Sequence, residues 1–261
     1  MNISLSGKKA LVGGSSKGIG EAIARQLAES GASVTLMARN EVRLRELVRE
    51  LDTGQGQQHG YLLVDFNDFE AFKNRISEFF DTNSVDILVN NTQGPPAGNA
   101  LDKNIGEYQE AFDLLFKTVV FTTGLALKGM RGKQWGRIIN IASISVKEPL
   151  IHLALSNSIR AAMVSWAKSL AFDVAGDGIT VNNTLTGYFD TDRIAQLNAK
   201  KAEQLGLAPT EILAEMEAQV PVKRIGKPSE YGYLVTFLAS DLAAYITGAN
   251  IPIDGGLLKS L

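Results

Sequence analysis

The chain has 261 residues, of which 45% are hydrophobic and 21% charged, and its formal net charge is −2. This composition is typical of a folded globular protein and excludes an intrinsically disordered one. Since the net charge is small and no block of like charges occurs, the sequence argues against binding to nucleic acid or to an acidic membrane. The chain has no cysteine, which excludes disulfides, thiolate catalysis and cysteine-based metal sites.

Two further exclusions concern metals and membranes. His59 and His152 are far apart and make no metal-ligand spacing, so we expect no metal site. The first residues carry no charged segment followed by an apolar run, and no stretch is long and apolar enough to span a membrane. We therefore expect a soluble cytoplasmic protein.

Short apolar runs alternate with segments of helical periodicity along the whole chain. The apolar runs predict strands at 9–14, 33–38, 61–65, 86–90, 137–141, 179–182 and 249–253. Helical patterns predict helices from 18 to a stop at Gly31, then at 41–51, 69–80, 105–130 and 152–174. Because apolar strands that alternate with helices form parallel sheets covered on both faces, we expect a doubly wound, Rossmann-type α/β fold. It should have about seven strands, in a single domain over 1–261.

The segment 186–228 breaks this alternation, because it is too long for an ordinary connection between the sixth strand and the last helix. It carries helical patches at 193–205 and 210–216, with Pro209 and Pro221 as breaks. Excursions of this length are usually lids or binding loops. We therefore expect a lid over a ligand; the alternative is a helical excursion that binds nothing.

A glycine-rich loop joins the first strand to the first helix and reads Gly14-Ser15-Ser16-Lys17-Gly18-Ile19-Gly20. Glycines permit a tight turn and let the backbone approach a pyrophosphate, whose negative charge then faces the helix N-terminus. A three-glycine loop alone is weak evidence, but this strand–loop–helix context favours a dinucleotide-binding site. The alternative is a tight turn that binds nothing. The spacing differs from the common Gly-x-Gly-x-x-Gly fingerprint.

With this glycine spacing and three further motifs, the chain resembles the short-chain dehydrogenase/reductase family over essentially its whole length. The further motifs are Asn90-Asn91 after the fourth strand, Ile141-Ala142-Ser143 at the end of the fifth, and Ile253-Asp254-Gly255-Gly256 near the end. The resemblance implies that the glycine loop binds a nicotinamide dinucleotide. It also implies that Asp65, Phe66 and Asn91 border the adenine and its ribose.

The end of the second strand indicates which dinucleotide binds. An acidic side chain there normally accepts hydrogen bonds from the adenosine ribose of NAD, but here the strand end reads Met37-Ala38-Arg39-Asn40, with no carboxylate until Glu41. A 2′-phosphate needs a cation, and a planar guanidinium is well suited to hold one. Arg39, with Lys17 as a second arm, is therefore predicted to select NADP(H), as the resemblance also implies. The alternative is that both are solvated surface charges.

The catalytic residues of the family are only partly present. Members typically use an asparagine, a serine and a Tyr-x-x-x-Lys pair, in which the tyrosine delivers a proton and the serine holds the carbonyl oxygen. The resemblance carries the serine to Ser143. It puts Ser156 and Arg160 in place of the Tyr/Lys pair, and Leu115 at the asparagine position.

These replacements change the expected chemistry. A phenol has a reference pKa of about 10 and can be tuned toward neutrality, whereas an aliphatic hydroxyl is a far weaker acid, so Ser156 is a poor proton donor. Arg160 can contact the nicotinamide ribose and keep its charge, but it cannot relay a proton as lysine can. Thr186 replaces the proline of the family's Pro-Gly turn, and Gly187 keeps the glycine, which the resemblance assigns to cofactor binding.

Several other residues could supply the missing proton. Lys147 lies four residues past Ser143, His152 has a side chain suited to proton transfer, and Tyr188 offers a displaced phenol. Asn157 could help to orient a carbonyl. Nothing in the sequence selects among them, and each of them alone is more simply a solvent-facing or packed loop residue.

Two functions fit these observations. The first is an NADP(H)-dependent oxidoreductase, resembling 3-oxoacyl reductases or general alcohol dehydrogenases, acting on a carbonyl or conjugated small-molecule substrate. In it Ser143 polarises the substrate oxygen, while Ser156 and Arg160 position ribose and substrate. The second is a dinucleotide-binding protein with little or no turnover, serving as a sensor or as a subunit of a larger assembly.

The resemblance also implies an oligomer, because members of the family are commonly tetramers. The helices near 105–130 and 152–175 and the tail 257–261 are rich enough in apolar residues to pack between subunits. We expect isologous association into a tetramer or a dimer.

Overall fold

The computed structural model describes residues 3–260; Met1, Asn2 and Leu261, the last residue of the predicted subunit-packing tail, lie outside them. One parallel sheet with strand order β3-β2-β1-β4-β5-β6-β7 organises the described chain. Its strands are β1 (Lys9–Gly13), β2 (Ser33–Ala38), β3 (Gly60–Leu63), β4 (Ile87–Asn90), β5 (Gly136–Ile141), β6 (Ile179–Thr186) and β7 (Asn250–Ile253). The predicted Rossmann-type α/β fold is confirmed.

Helices connect these strands and cover the sheet. They are α1 (Gly18–Glu29), α2 (Glu41–Glu50), α3 (Phe69–Thr82), α4 (Ile105–Phe112), α5 (Thr118–Lys133), α6 (Ala154–Val174), α7 (Asp192–Leu205), α8 (Pro209–Gln219) and α9 (Pro228–Leu238). None of the helices in the described part of the chain is both long and apolar enough to cross a membrane.

The helix predicted over 105–130 is interrupted. A π-helical turn, Asp113–Lys117, separates α4 from α5, and the amide of Thr118 donates to the carbonyl oxygen of Asp113 five residues back. The apolar pattern did not reveal this turn, because one wider turn hardly disturbs the spacing of buried side chains. Wider turns of this kind are frequent at functional sites.

Alternate strand residues face opposite layers of the core. On β1, Val12 packs with the buried side chains of α1, α2 and α9, whereas Leu11 packs with those of α3, α5 and α6. The central strands are therefore buried on both faces, which explains their continuous apolar runs, whereas the edge strands β3 and β7 are partly exposed. A smaller apolar cluster, which includes Ile144 and Met163, lies where β5 meets α6.

The site is positioned by the change of direction in the sheet. The chain moves outward from β1 to β2 and β3 and then returns to form β4 on the other side of β1. The loops that leave β1 and β4 therefore diverge, and a crevice opens between them at the carboxyl edge of the sheet. Open parallel sheets bind their ligands in such crevices.

Four asparagines form a ladder across the strands next to this crevice. Asn90 donates to Asn140 at 2.8 Å, Asn140 to Asn183 at 2.9 Å, and Asn183 to Asn250 at 2.8 Å. The four residues are also partners in the strand register. The ladder extends β6 beyond the predicted end at 182, because buried polar side chains that are hydrogen-bonded to one another are compatible with a strand interior.

The excursion 186–228 is helical, as predicted. Its patches form α7 and α8, and α8 begins at Pro209. A bridge between Phe189 and Gly226 joins its two ends beside the carboxyl edge of the sheet. The excursion therefore starts and finishes next to the crevice.

Candidate active site

The loop between β1 and α1 is held in a narrow turn by its glycines. Gly14 has a φ of +55°, a left-handed conformation that favours glycine. A side chain on Gly20 would overlap the carbonyl oxygen of Gly14, so α1 begins directly against the loop. Among the described residues, no side chain caps the N-terminus of α1. Its first amides are therefore free to hold a pyrophosphate, and the turn fits a dinucleotide.

The two serines of the loop differ in burial. Ser15 is fully buried, and its Oγ accepts a hydrogen bond from the amide of Met37 at 2.9 Å. Ser15 thus anchors the loop to β2. Ser16 and Ile19 are half-buried, which leaves part of each side chain open at the loop surface.

Asn91 supports the loop from the neighbouring strand. Its Nδ2 donates to the carbonyl oxygen of Gly13 at 3.0 Å, and the backbone of Asn91 lies so close to Gly13 that a side chain there would overlap it. The residue that the family resemblance places near the adenosine ribose is therefore also a structural tie between β1 and β4.

The end of the crevice that is predicted to hold the adenosine contains the predicted cation, Arg39. Arg39 and Asp65 come together after β2 and β3, with Nη1 and Oδ2 separated by 3.8 Å, and both side chains are about half exposed. Phe66 is buried and lines a small cavity together with Met37 and Asn91. Glu41 accepts a hydrogen bond from Arg45 at 2.7 Å on α2. The Glu41 carboxylate therefore forms an ion pair with Arg45 of the same helix.

Lys17 contacts the excursion instead of Arg39. Its Nζ lies 3.0 Å from Oδ2 of Asp192, the first residue of α7, and both side chains are exposed. The next residue, Arg193, donates to the carbonyl oxygen of Pro95 at 3.3 Å in the loop after β4. The first turn of α7 is therefore attached to both loops that border the crevice.

Ser143 lies just beyond the end of β5 and begins a short helical turn. Its Oγ accepts a hydrogen bond from the amide of Ser145 at 3.1 Å. A serine hydroxyl that accepts such a bond still has its hydrogen to donate. The half-buried Ser143 can therefore donate to a substrate oxygen.

Ser156 and Arg160 lie four residues apart in the first half of α6, which places them on one face of the helix. Nη1 of Arg160 donates to the carbonyl oxygen of Ile141 at 2.5 Å, just before Ala142 and Ser143. Burial lowers the pKa of Arg160 to about 10, and the nearby Tyr231 opposes this shift. The guanidinium is therefore still charged at neutral pH.

The remaining two positions of the family's pattern are filled differently from its usual residues. Leu115 lies in the π-helical turn, 3% exposed, within an apolar cluster. Oγ1 of Thr186 is hydrogen-bonded to the phenol of Tyr231 at 2.8 Å. A side chain on Gly187 would lie 2.6 Å from Cα of Asp254, so this close approach of β6 and β7 requires glycine.

Tyr231 is a site residue that sequence analysis did not single out. It is fully buried in α9, and burial raises the pKa of its phenol to about 12. Its hydroxyl also donates to Oγ1 of Thr184 at 2.6 Å. No local pattern could have revealed it, because a tyrosine in an apolar helix is most simply a core residue.

The four alternative groups occupy different surroundings. His152 is exposed, has a φ of +62°, and its carbonyl oxygen accepts from the amide of Gly98 at 2.7 Å. Lys147 is half-buried at the end of the turn that Ser143 begins. Burial raises the pKa of Tyr188. Asn157 donates its amide to the carbonyl oxygen of Leu150 at 2.9 Å, which leaves it less able to donate to a substrate.

Comparison with known proteins gives matches along nearly the whole chain. A family model described as Enoyl-(Acyl carrier protein) reductase matches residues 14–258. The 3-oxoacyl-[acyl-carrier-protein] reductase FabG of Aquifex aeolicus (strain VF5) is 30% identical over 263 residues, covering 98% of this chain and 100% of that protein.

Two solved structures show the same architecture. L-sorbose reductase from Gluconobacter frateurii, complexed with NADPH and L-sorbose, covers 100% of both chains with a TM-score of 0.92 and 31% sequence identity. YwfH, an NADPH-dependent reductase involved in bacilysin biosynthesis, covers 98% of this chain and 100% of its own, with a TM-score of 0.91 and 28% identity. The crevice, the glycine loop and Ser143 all lie within the matched region, and the chain belongs to the short-chain dehydrogenase/reductase family of oxidoreductases.

Proposed function

We propose that this chain is an NADP(H)-dependent oxidoreductase that reduces a carbonyl or conjugated group of a small organic substrate. The observation that carries the proposal is Ser143, whose oxygen is engaged by the amide of Ser145 while its hydrogen can be donated. Arg39 at the end of β2 and the likeness to NADPH-dependent reductases support the choice of cofactor.

When bound, NADP(H) supplies or accepts the hydride. The first amides of α1 hold the pyrophosphate, and Arg39 contacts the 2′-phosphate. Ser143 donates its hydrogen bond to the substrate oxygen and stabilises the negative charge that develops there. Arg160, fixed to the backbone before Ser143, contacts the nicotinamide ribose and keeps a positive charge nearby.

Position 156 is a serine, where the family has the tyrosine that donates the proton. The proton that completes the reduction therefore comes from another group. Tyr188 is favoured by its position, because it follows Gly187 at the carboxyl end of β6, where the excursion starts. Burial raises the pKa of its phenol, so Tyr188 is protonated at neutral pH but is a weaker acid than a free phenol. Lys147 and His152 remain alternatives, and Ser156 positions the substrate in each case.

The substrate binds under the excursion, which acts as a lid. FabG reduces 3-oxoacyl groups on acyl carrier protein, as its name states, and the sorbose reductase acts on a sugar. We extend both substrate classes to this chain as candidates. The ion pair of Lys17 with Asp192 supports a lid that closes directly against the cofactor loop.

A substrate panel tests this function. NADPH oxidation is followed with ketones, ketoses, 3-oxoacyl thioesters and enoyl thioesters, with NADH in parallel. We expect turnover with at least one class and a preference for NADPH. Activity in Tyr188→Phe equal to that of the wild type would exclude Tyr188 as the donor, and Ser156→Ala tests the family's usual donor position.

The second function is a dinucleotide-binding protein with little turnover, acting as a sensor or as a subunit of an assembly. The observation that favours it is the absence of a phenol and a lysine at positions 156 and 160. No turnover across the panel, together with micromolar binding of NADPH, would support this function over the first.

We also propose a cytoplasmic homo-oligomer, a tetramer or a dimer. Phe172 on α6 is 76% exposed and supports an interface on that helix. In the tail, Leu257 and Leu258 pack against the chain's own cluster near Ile144. Light scattering with size exclusion, on the wild type and on Phe172→Glu, tests the assembly, and fractionation of expressing cells tests the location.

A further inference from the structure

Four side chains form a closed ring at the adenosine end of the crevice. Nη2 of Arg39 donates to Oε1 of Gln93 at 2.9 Å, and Nε2 of Gln93 donates to Oδ1 of Asn67 at 2.7 Å. Nδ2 of Asn67 donates to Oδ1 of Asp65 at 3.0 Å, and Oδ2 of Asp65 lies 3.8 Å from Nη1 of Arg39. The ring thus joins the loops that follow β2, β3 and β4.

This ring contributes little to the stability of the fold. All four residues are exposed, and hydrogen bonds and ion pairs between exposed side chains are worth little in water. What the ring does is orient the guanidinium of Arg39, because a long exposed side chain would otherwise sample many rotamers.

Within the ring, Asp65 is hydrogen-bonded to Asn67 and makes only a longer ion-pair contact with Arg39. Oδ1 of Asp65 accepts from both the amide and Nδ2 of Asn67, at 2.9 Å and 3.0 Å. The 3.8 Å separation from Arg39 is too long for a hydrogen bond. Within residues 3–260, Nε and Nη1 of Arg39 therefore donate no hydrogen bond, and both are available to an anion.

We propose that Gln93 is a positioning residue that determines the preference for NADP(H) by keeping Arg39 out of hydrogen-bond contact with Asp65 and ready for the 2′-phosphate. Asn67 assists by engaging both Gln93 and Asp65. This inference rests on the proposed use of NADP(H). A neutral amide suits the task, because it bridges a cation and a second amide without adding a negative charge beside the phosphate.

Equilibrium binding tests the proposal without any substrate. The dissociation constants of NADPH and NADH are measured by calorimetry for the wild type, Gln93→Ala and Gln93→Glu. In Gln93→Ala, Arg39 can move from its 3.8 Å ion-pair contact into a hydrogen-bonded pair with Asp65. We then expect NADPH to bind about tenfold more weakly while NADH changes less than about twofold. In Gln93→Glu, the added carboxylate should weaken NADPH further, by on the order of 30-fold in total.

Two further variants identify the cause. Asp65→Asn added to Gln93→Ala should restore most of the NADPH-to-NADH preference, because the competing carboxylate is gone. Gln109→Ala removes an exposed glutamine of α4 whose amide donates to Asp113 at 2.7 Å, in the π-helical turn that follows. It is the matched control and should leave both dissociation constants unchanged.

The preference ratio decides the outcome. An equal loss of affinity for both cofactors in Gln93→Ala would mean that Gln93 only shapes the loop. An unchanged ratio of the two dissociation constants would mean that Arg39 needs no support. Either result overturns the proposal. Thermal unfolding verifies that each variant is folded. Because no turnover is measured, failure of the proposed reaction leaves this test intact.

Discussion

Lys17 and Asp192 join the cofactor loop to the excursion, with 3.0 Å between Nζ and Oδ2. The sequence suggested Lys17 as a second arm for the 2′-phosphate, and that role stays a prediction. In the structure the same ammonium is shared with the first turn of α7. A phosphate bound by Lys17 would therefore compete with the excursion for one cation.

Replacing Asp192 should release Lys17 to the cofactor. In Asp192→Asn we expect NADPH to bind about two- to threefold more tightly, with NADH unchanged, since an exposed ion pair is worth under about 1 kcal/mol. Titration calorimetry measures both constants. Asp190→Asn, an exposed neighbour that leaves the ion pair of Lys17 intact, is the control. Weaker NADPH binding in Asp192→Asn would mean that the ion pair itself builds the site.

Ser143 should be needed for turnover but not for cofactor binding. In Ser143→Ala we expect kcat to fall by about 100-fold, because a donor to the developing oxyanion is lost, while NADPH affinity stays the same. Steady-state kinetics on the substrate found in the panel measures the effect.

Ser145→Ala is the matched control for that experiment. Its buried Oγ has no hydrogen-bond partner among residues 3–260, so this variant keeps the backbone amide that binds Ser143. Full activity in Ser143→Ala, or an equal loss in both variants, would exclude Ser143 as the group that holds the substrate oxygen.

The affinity for the cofactor should fall at alkaline pH, where Arg160 loses its positive charge. Burial lowers its pKa to about 10, so the cation is present at neutral pH and is lost as the pH rises through that value. Affinity for NADH should be constant near neutrality and fall above about pH 10. NADH is the right probe, because it lacks the 2′-phosphate that Arg39 and Lys17 would contact.

Arg160→Lys provides the comparison. Lysine has a lower reference pKa than arginine, and burial lowers it further, so the fall in NADH affinity should begin at a lower pH. Stability responds in the opposite sense. The unfolded chain binds more protons than the folded one between the lowered and the ordinary pKa of Arg160, so the free energy of unfolding rises with pH in that window. NADH affinity independent of pH in both proteins would contradict the assigned role.

The asparagine ladder should be important for stability. Asn140 is fully buried, donates to Asn183 and accepts from Asn90. Asn140→Leu should lower the free energy of unfolding by about 3 kcal/mol, because it leaves buried polar groups without partners. Asn250→Leu, at the exposed end of the ladder, should cost about 1 kcal/mol. Urea denaturation compares them, and equal costs would mean that the ladder does not act as a buried network.

The sheet and the cofactor loop could be predicted from sequence because their signals are local. Apolar runs marked the strands, since strands buried on both faces consist mostly of apolar side chains. The loop 14–20 could be located because left-handed and close-packed backbone requires glycine, as at Gly14 and Gly20.

The contacts that tune the site could not be predicted, because they join residues distant in the chain. Arg39 and Gln93 are 54 positions apart, and Thr186 and Tyr231 are 45 apart. Neither pair lies on a common helix or strand, so no periodicity connects them. Lys17 was predicted as a second contact for the 2′-phosphate from its place in the glycine loop and from the family resemblance, yet its ion-pair partner in the structure comes from α7.

The central claim is that the glycine loop and Arg39 bind NADP(H) at the carboxyl edge of the sheet. Titration of the wild type and of Arg39→Asp with NADPH and NADH tests it most directly, with Arg49→Asp on α2 as control. For the wild type, the account predicts one site with micromolar affinity for NADPH. In Arg39→Asp, it predicts that the affinity for NADPH falls by about 100-fold and that the affinity for NADH does not. Absence of binding heat with either cofactor, or an unchanged preference in Arg39→Asp, would contradict the account.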